Sequence, residues 1–155
     1  MSQPLFDAIR NADATSVKSL LEQNPQWINE KDPRGSTPLL LATYYGAKEV
    51  SEILLSFPQE IDAQDGSGNT ALMGVCFKGF QDIAQLLIEK GANVNVTNYN
   101  GATALIFATT FNRLELVKLL LENGADPELR DDKGNRALEH AQMQDVSEIA
   151  ALLSS

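Results

Sequence analysis

The sequence contains one cysteine, Cys76, and no long hydrophobic run. A single cysteine excludes an internal disulfide and any metal site built from several cysteines. No segment approaches the roughly 20 apolar residues that a membrane-spanning helix needs. The stretch from Met1 to Arg10 lacks the basic and then apolar pattern of a secretory signal. These features lead us to expect a cytoplasmic protein without a membrane partner.

Basic residues are also scarce. The chain has 12 Lys and Arg against 21 Asp and Glu, which gives a formal net charge of -9. A protein that binds nucleic acid needs a basic stripe to displace phosphate counterions, and the sequence has no such stripe. We therefore expect no nucleic-acid partner. The length of 155 residues is sufficient for one domain with a hydrophobic core.

What the sequence does contain is a repeat with a period of 33 residues. Its register is marked by the glycines Gly35, Gly68, Gly101 and Gly134. Two residues after each glycine stand Thr37, Thr70, Thr103 and Arg136, and two residues later Leu39, Leu72, Leu105 and Leu138. A weaker copy precedes them, because Phe6 aligns with Leu39 and Val17 with Val50. Five copies therefore fill the chain.

Each copy has the pattern of two short helices. Thr37 followed by Pro38 is a start signal, because the hydroxyl accepts from a free backbone N–H and proline fits the first helical position. We expect this helix to run to about Tyr45, where Gly46 stops it in the left-handed conformation. A second helix should run from about Lys48 to Ser56. Helices this short are unstable alone in water, so the copies must stack into a solenoid.

The aligned columns predict both the core and the ends of this stack. The columns of Phe6 and Val17 are apolar in every copy, and the column of Ile9 is small in most copies. The columns of Leu40 and Leu55 are apolar in the three inner copies. They are polar in the terminal copies, which carry Asp7, Glu139, Glu22 and Ser154. A stack exposes one flank at each end, so we expect these residues to keep it soluble and the array to be complete.

The pattern resembles the ankyrin repeat family over residues 5 to 153. The motif is similar to the segments Asp32 to Leu39, DPRGSTPL, and Val117 to Ala125, VKLLLENGA. The family usually places a histidine after Thr-Pro-Leu, where this sequence has Leu40, Met73, Ile106 and Glu139. The resemblance implies one all-α domain, residues 1–155, of five stacked helix-turn-helix units with short β-hairpin fingers. The expected repeats are about 1–31, 32–64, 65–97, 98–130 and 131–155.

Such a scaffold is expected to bind a partner protein, as an adaptor, scaffold or inhibitor, through its concave face and fingers. At the ends of the first helices the candidate residues are Tyr44, Tyr45, Phe77, Lys78, Thr110, Phe111 and Met143. In the fingers they are Arg34, Ser36, Ser67, Asn69, Tyr99, Asn100 and Lys133. Aromatic residues are enriched at binding hot spots. Two alternatives stay open: the rings only pack on one another, or they mediate self-association of a chain that we otherwise expect to be monomeric.

No catalytic or metal-binding constellation is evident, so we expect no enzyme activity, cofactor or metal. His140 is the sole histidine and has no evident catalytic partner, which favours a polar capping role. The resemblance implies that the position of Cys76 is usually small and buried, which favours a packed thiol over a nucleophile. Asn95 fits a turn residue better than a modification site. The segment from Asp62 to Gly68 lacks the glutamate of a calcium loop. The rival hypothesis, an enzyme or ligand-binding protein, would require a deep polar pocket with perturbed titrating groups.

Overall fold

The computed structural model describes residues 2–154, which form ten α-helices and one short 3-10 helix, Pro25–Asn29. The α-helices are α1 Gln3–Arg10, α2 Ala14–Gln23, α3 Pro38–Tyr44, α4 Lys48–Leu55, α5 Ala71–Lys78, α6 Gln81–Glu89, α7 Ala104–Thr110, α8 Leu114–Glu122, α9 Ala137–Met143 and α10 Ser147–Ser154. The predicted ends at Tyr45 and Ser56 are each one residue too late. None of the helices in this part of the chain is long and apolar enough to cross a membrane.

The helix boundaries follow from the residues that the sequence places there. Thr37, Thr70 and Thr103 each accept a hydrogen bond at 3.2 Å from the N–H of the third residue of the following helix. The helix α9 lacks this threonine, and Glu139 instead accepts from the N–H of Arg136 at 2.9 Å. At the other end of α5, Gly79 has a φ of 86°, which a residue with a Cβ rarely adopts. These caps satisfy polar backbone groups that a helix end leaves free.

The helices stack in two layers. The first helices of the pairs, α1, α3, α5, α7 and α9, contact one another in order, and the second helices α2, α4, α6, α8 and α10 form a parallel series of contacts. Each first helix also packs on the second helix of its own pair. The columns of Ile9 and Val17 are buried in all five copies, as the sequence predicts, whereas Leu138 in the column of Phe6 is only half-buried. The core is therefore continuous along the stack.

The polar end positions lie as expected. Leu40, Met73 and Ile106 are buried, while Asp7 in the same column is exposed and Glu139 is half-buried. The column of Leu55 is half-buried in the three inner copies and exposed at Glu22 and Ser154. The first and last helix pairs thus present polar side chains where the inner pairs present apolar ones, which limits the apolar surface at each flank.

The segments that join the pairs form four similar turns, which we call the finger turns: residues 32–36, 65–69, 98–102 and 131–135. In the first, Oδ1 of Asp32 accepts from the N–H of Arg34 and of Ser36, and the Gly35 N–H donates to the Asp32 carbonyl. The equivalent bonds recur around Asp65, Asn98 and Asp131. No β-strand occurs in residues 2–154. The β-hairpin form predicted for the fingers is not confirmed, although the Asp32 N–H also donates to the Ser36 carbonyl and the equivalent backbone bond recurs in the other three turns.

Candidate protein-binding groove

Four aromatic side chains lie together at the ends of the first helices. We call Tyr44, Tyr45, Phe77 and Phe111 the aromatic row. The ring of Tyr44 is parallel to that of Phe77, with centroids 6.5 Å apart, and Phe77 meets Phe111 edge-on at 4.7 Å. All four are between 37% and 51% exposed. The rings therefore do pack on one another, as the alternative hypothesis expects, but they also keep a large apolar surface open to solvent.

Lys78 adds a cation to this row. Its Nζ lies 4.9 Å from the centroid of the Tyr44 ring and 6.0 Å from that of Phe80. An ammonium group at this distance from a ring face is attracted by the ring quadrupole. The side chain of Arg113 reaches the same region, because its Nη2 donates to the Phe77 carbonyl at 2.9 Å. The apolar row is thus bordered by positive charge near the end of α5.

A groove of about 690 Å³ opens beside the row, between the first two finger turns and the helices α3 and α5. Of the residues predicted from sequence, seven line it: Arg34, Ser36, Tyr44, Tyr45, Ser67, Asn69 and Phe77. The floor is apolar and includes Leu40, Leu41 and Met73. A volume of this size with a mainly apolar floor and polar walls is typical of a site that accepts peptide or ligand side chains.

The other predicted residues lie outside the groove. Tyr99 and Met143 are strongly exposed, at 66% and 60%, and Lys78, Asn100, Phe111 and Lys133 are also exposed. Thr110, at the end of α7, is half-buried. The structure connects Tyr99 to the neighbouring finger turn, since its N–H donates to the Ser67 carbonyl at 3.2 Å. The predicted set therefore falls into a groove at the second and third helix pairs and an exposed extension toward the C-terminal pair.

Twelve further residues line the groove that were not predicted to belong to the site, and Arg10, Gly74 and Phe107 are among them. Arg10 belongs to the weakest copy of the repeat, so its place beside the second copy was not apparent. Gly74 and Phe107 share a column with Leu41, and all three line the groove from the middle of their helices rather than from the ends. A glycine inside a helix, among bulky residues of one column, was the signal that could have identified this position.

The C-terminal pair requires a correction. His140 does have a partner, because its Nε2 lies 2.7 Å from Oδ2 of Asp131 in the last finger turn. Burial acts to raise the pKa of Asp131, but hydrogen bonds from the Asn135 N–H and from His140 outweigh it, so this pKa lies below its ordinary value. The Arg136 guanidinium lowers the pKa of Glu139 to about 2. Asp131 and His140 belong to the same copy, and the last finger turn places the Asp131 carboxylate beside the helix α9 that carries His140.

The remaining reactive side chains are engaged in the fold. Cys76 is fully buried, and this burial raises the pKa of its thiol to about 12, which keeps it from forming a nucleophilic thiolate. Asn95 donates to the Gly124 carbonyl at 3.1 Å and accepts from the Asp126 N–H at 2.8 Å, as a turn residue would. No group of three metal-ligating side chains is found across residues 2–154.

The helix pairs stack in register, Asp or Asn closes the turns between them, and threonine caps the first helix of each inner pair. These features define a helical repeat protein. A family model of ankyrin repeats in three copies matches residues 5–98, 46–131 and 94–155. These overlapping matches extend over nearly all of the sequence, and the chain belongs to the ankyrin repeat family. Ankyrin repeats are generally protein–protein interaction modules, and the family is typically non-enzymatic. A search of curated proteins finds no match to the chain.

Proposed function

We propose that this chain binds a partner protein through the groove and the finger turns, as an adaptor, scaffold or inhibitor without enzymatic activity. The observation that carries the proposal is the aromatic row, whose four exposed rings are continuous with a groove of about 690 Å³. Aromatic side chains concentrate binding energy because they bury a large area at a small cost in rotamer entropy. An exposed cluster of this kind on a repeat scaffold is typical of an interaction surface.

The proposal includes five ankyrin repeats within one domain. Each would contain a helix pair, and the inner repeats would begin at the finger turns, with boundaries near residues 32, 65, 98 and 131. The support is the recurrence of the same Asp or Asn hydrogen bonds at each boundary and the threonine caps that follow three of them. The cytoplasm remains the location that we propose from the composition.

The rival enzymatic hypothesis has no support in the groove. Within residues 2–154, six groups have a pKa that clearly departs from its ordinary value: Asp13, Asp62, Cys76, Asp131, Arg136 and Glu139. None of these six lines the groove. Active sites usually combine a cleft with titrating groups whose pKa values are displaced for proton transfer. The coincidence that would favour catalysis is therefore lacking where the cavity is.

The test is affinity capture with the intact chain and with the double variant Tyr45→Ala and Phe111→Ala. We expect the partner to be captured by the wild type and lost with the double variant, because half of the aromatic row is removed. The matched control is Glu115→Ala with Lys118→Ala, an exposed ion pair on α8 with its atoms 3.8 Å apart. Circular dichroism must show that both double variants are folded. Partners that are retained by the folded aromatic variant would refute the proposal.

Self-association is checked separately. We propose that the chain alone is monomeric, and light scattering at increasing protein concentration measures this directly. A dimer that dissociates on the Tyr45→Ala and Phe111→Ala double change would instead assign the aromatic row to contacts between copies of this chain.

A further inference from the structure

The groove contains a notch at Gly74, in the middle of α5. Of the ten glycines, Gly74 is the one that lies within a helix, and a glycine there weakens a helix relative to alanine. Its φ is in the ordinary helical range, and a Cβ at this position would meet only Cδ1 of Tyr44, at 3.6 Å. Neither backbone conformation nor crowding therefore requires glycine. The missing side chain leaves open space between Leu41 and Phe107, which flank it in the same column and also line the groove.

Accessible charge around the notch is positive, although the whole chain has a net charge of -9. The Arg34 guanidinium makes no hydrogen bond or ion pair with any described residue, and the side chain is exposed. Among the described residues, the Lys78 ammonium has ring contacts with Tyr44 and Phe80 and no hydrogen bond or ion pair. Arg34 lines the groove and Lys78 lies just outside it against the ring of Tyr44, so both cations remain available to an occupant.

The carboxylates of the groove are less available than these cations. The side chain of Asp32 is 5% exposed, its Oδ1 accepts from two backbone N–H groups, and its Oδ2 lies 4.0 Å from Arg10. Oδ1 of the half-buried Asp65 likewise accepts from two N–H groups. The finger turns thus use their carboxylates to hold the backbone. An incoming segment meets cations above an apolar floor.

We propose, on the basis of the binding function proposed above, that the groove takes an extended acidic segment of the partner protein. An aliphatic side chain of this segment, Leu, Ile or Met, fills the notch at Gly74, and Asp or Glu residues beside it pair with Arg34 and Lys78. The occupant carries carboxylates rather than phosphates. A phosphate favours several donors converging on one point, whereas Arg10, Arg34 and Lys78 stand on three different elements, each as a single cation.

A displayed library of random short peptides, selected on the intact protein, tests this chemistry. We expect the selected sequences to place Asp or Glu within one or two residues of Leu, Ile or Met. A selection without enrichment of acidic residues would overturn the inference. Selected peptides that all bind the Tyr45→Ala and Phe111→Ala double variant as tightly as the wild type would also overturn it. Chemical synthesis of a selected peptide then allows its dissociation constant to be measured by fluorescence anisotropy.

Two groove variants test the contacts. Gly74→Leu fills the notch with leucine, the residue that occupies position 41 of the same column, and Arg34→Glu reverses a charge. Each variant should weaken binding of the peptide by about tenfold or more. Gly74→Ala is measured in parallel in case leucine disturbs the fold, because the methyl group of alanine fits at this position without strain. Lys118→Glu makes the same charge reversal on the exposed face of α8 and should leave affinity within about twofold. Unchanged affinity in a folded Gly74→Leu protein and in Gly74→Ala would overturn the inference.

Other occupants give different results. A peptide that binds about tenfold more tightly when its Glu is replaced by phosphoserine would show a phosphate site and overturn the choice of carboxylate. Dimers abolished by Gly74→Leu would show that a second copy fills the groove, with the same consequence. If captured partners are lost with the aromatic double variant but kept by Gly74→Leu, the inference fails while the proposed function stands. If neither variant affects capture, both fail.

Discussion

The ring of Phe77 meets the ring of Phe111 edge-on, with centroids 4.7 Å apart and planes at 88°. This contact joins the end of α5 to the residue that follows α7. A T-shaped pair is stabilised because the positive ring edge faces the negative ring face. Here the pair is formed at the surface, with Phe77 37% and Phe111 41% exposed. It therefore contributes to alignment of neighbouring helix pairs without being part of the core.

Phe111→Ala should consequently lower the free energy of unfolding only modestly. We expect a loss of about 1 to 2 kcal/mol, from the ring pair and the partial burial of one ring. Urea denaturation measures it, and Leu105→Ala in the buried column is the reference, with an expected loss of about 2 to 5 kcal/mol. A loss at Phe111 equal to that at Leu105 would show that the aromatic row is structural and would weaken its role in binding.

Gly74→Ala should make the protein more stable. Alanine favours the helical conformation over glycine by about 0.5 to 1 kcal/mol, and the added methyl group would contact Tyr44 at an ordinary distance of 3.6 Å. The midpoint of thermal unfolding should therefore rise. Gly79→Ala is the matched control. Its midpoint of thermal unfolding should fall, because the φ of 86° at this position is unfavourable for alanine. Destabilisation by Gly74→Ala would show that the notch is already filled.

The sequence was sufficient to predict the helices and their core because both depend on local and periodic patterns. Threonine caps and the buried columns of Ile9 and Val17 recur every 33 residues, so each position is specified several times. The ends of α3 and α4 were each misplaced by one residue, since the last turn of a helix has little sequence signal of its own. Repetition thus made the scaffold readable.

The groove was only partly predictable because its members differ between copies. The positions of Tyr44 and Phe77 follow from the register, but their parallel rings depend on side-chain rotamers that no pattern specifies. The pairing of His140 with Asp131 was missed, because the finger turn approaches the helix of its own copy across nine residues of chain. Contacts of this kind depend on how the turn closes, and the β-hairpin form expected there is not confirmed.

Asn95→Ala should destabilise the chain by about 1 to 2 kcal/mol. The side chain bridges two copies of the repeat: its Nδ2 donates to the Gly124 carbonyl at 3.1 Å and its Oδ1 accepts from the Asp126 N–H at 2.8 Å. Each bond contributes about 1 kcal/mol, and both are lost. Chemical denaturation measures the change. Asn100→Ala, an exposed asparagine of the third finger turn, should have almost no effect, and an equal loss there would contradict the bridging role.

The thiol of Cys76 should be inert in the folded protein. It is fully buried, and burial raises its pKa to about 12, so thiolate is scarce at neutral pH and reagents cannot reach it. We expect a chromogenic disulfide reagent to react at the rate of unfolding, and rapidly once urea is added. Reaction faster than unfolding, measured in parallel by circular dichroism, would show that α5 opens locally.

Acid should weaken the C-terminal helix pair through Glu139. Its hydrogen bonds with the Arg136 side chain and backbone N–H lower its pKa from 4.5 to about 2. Because the folded state prefers the ionised carboxylate, the stabilising contribution is complete above about pH 4.5 and is lost as the pH falls toward 2. Asp131, whose pKa is also lowered, acts in the same direction.

Thermal unfolding across this range should show a steeper decline for the wild type than for Glu139→Gln, which cannot ionise. Glu52→Gln, on the exposed face of α4, should retain the wild-type profile, and identical slopes for all three proteins would contradict the assignment.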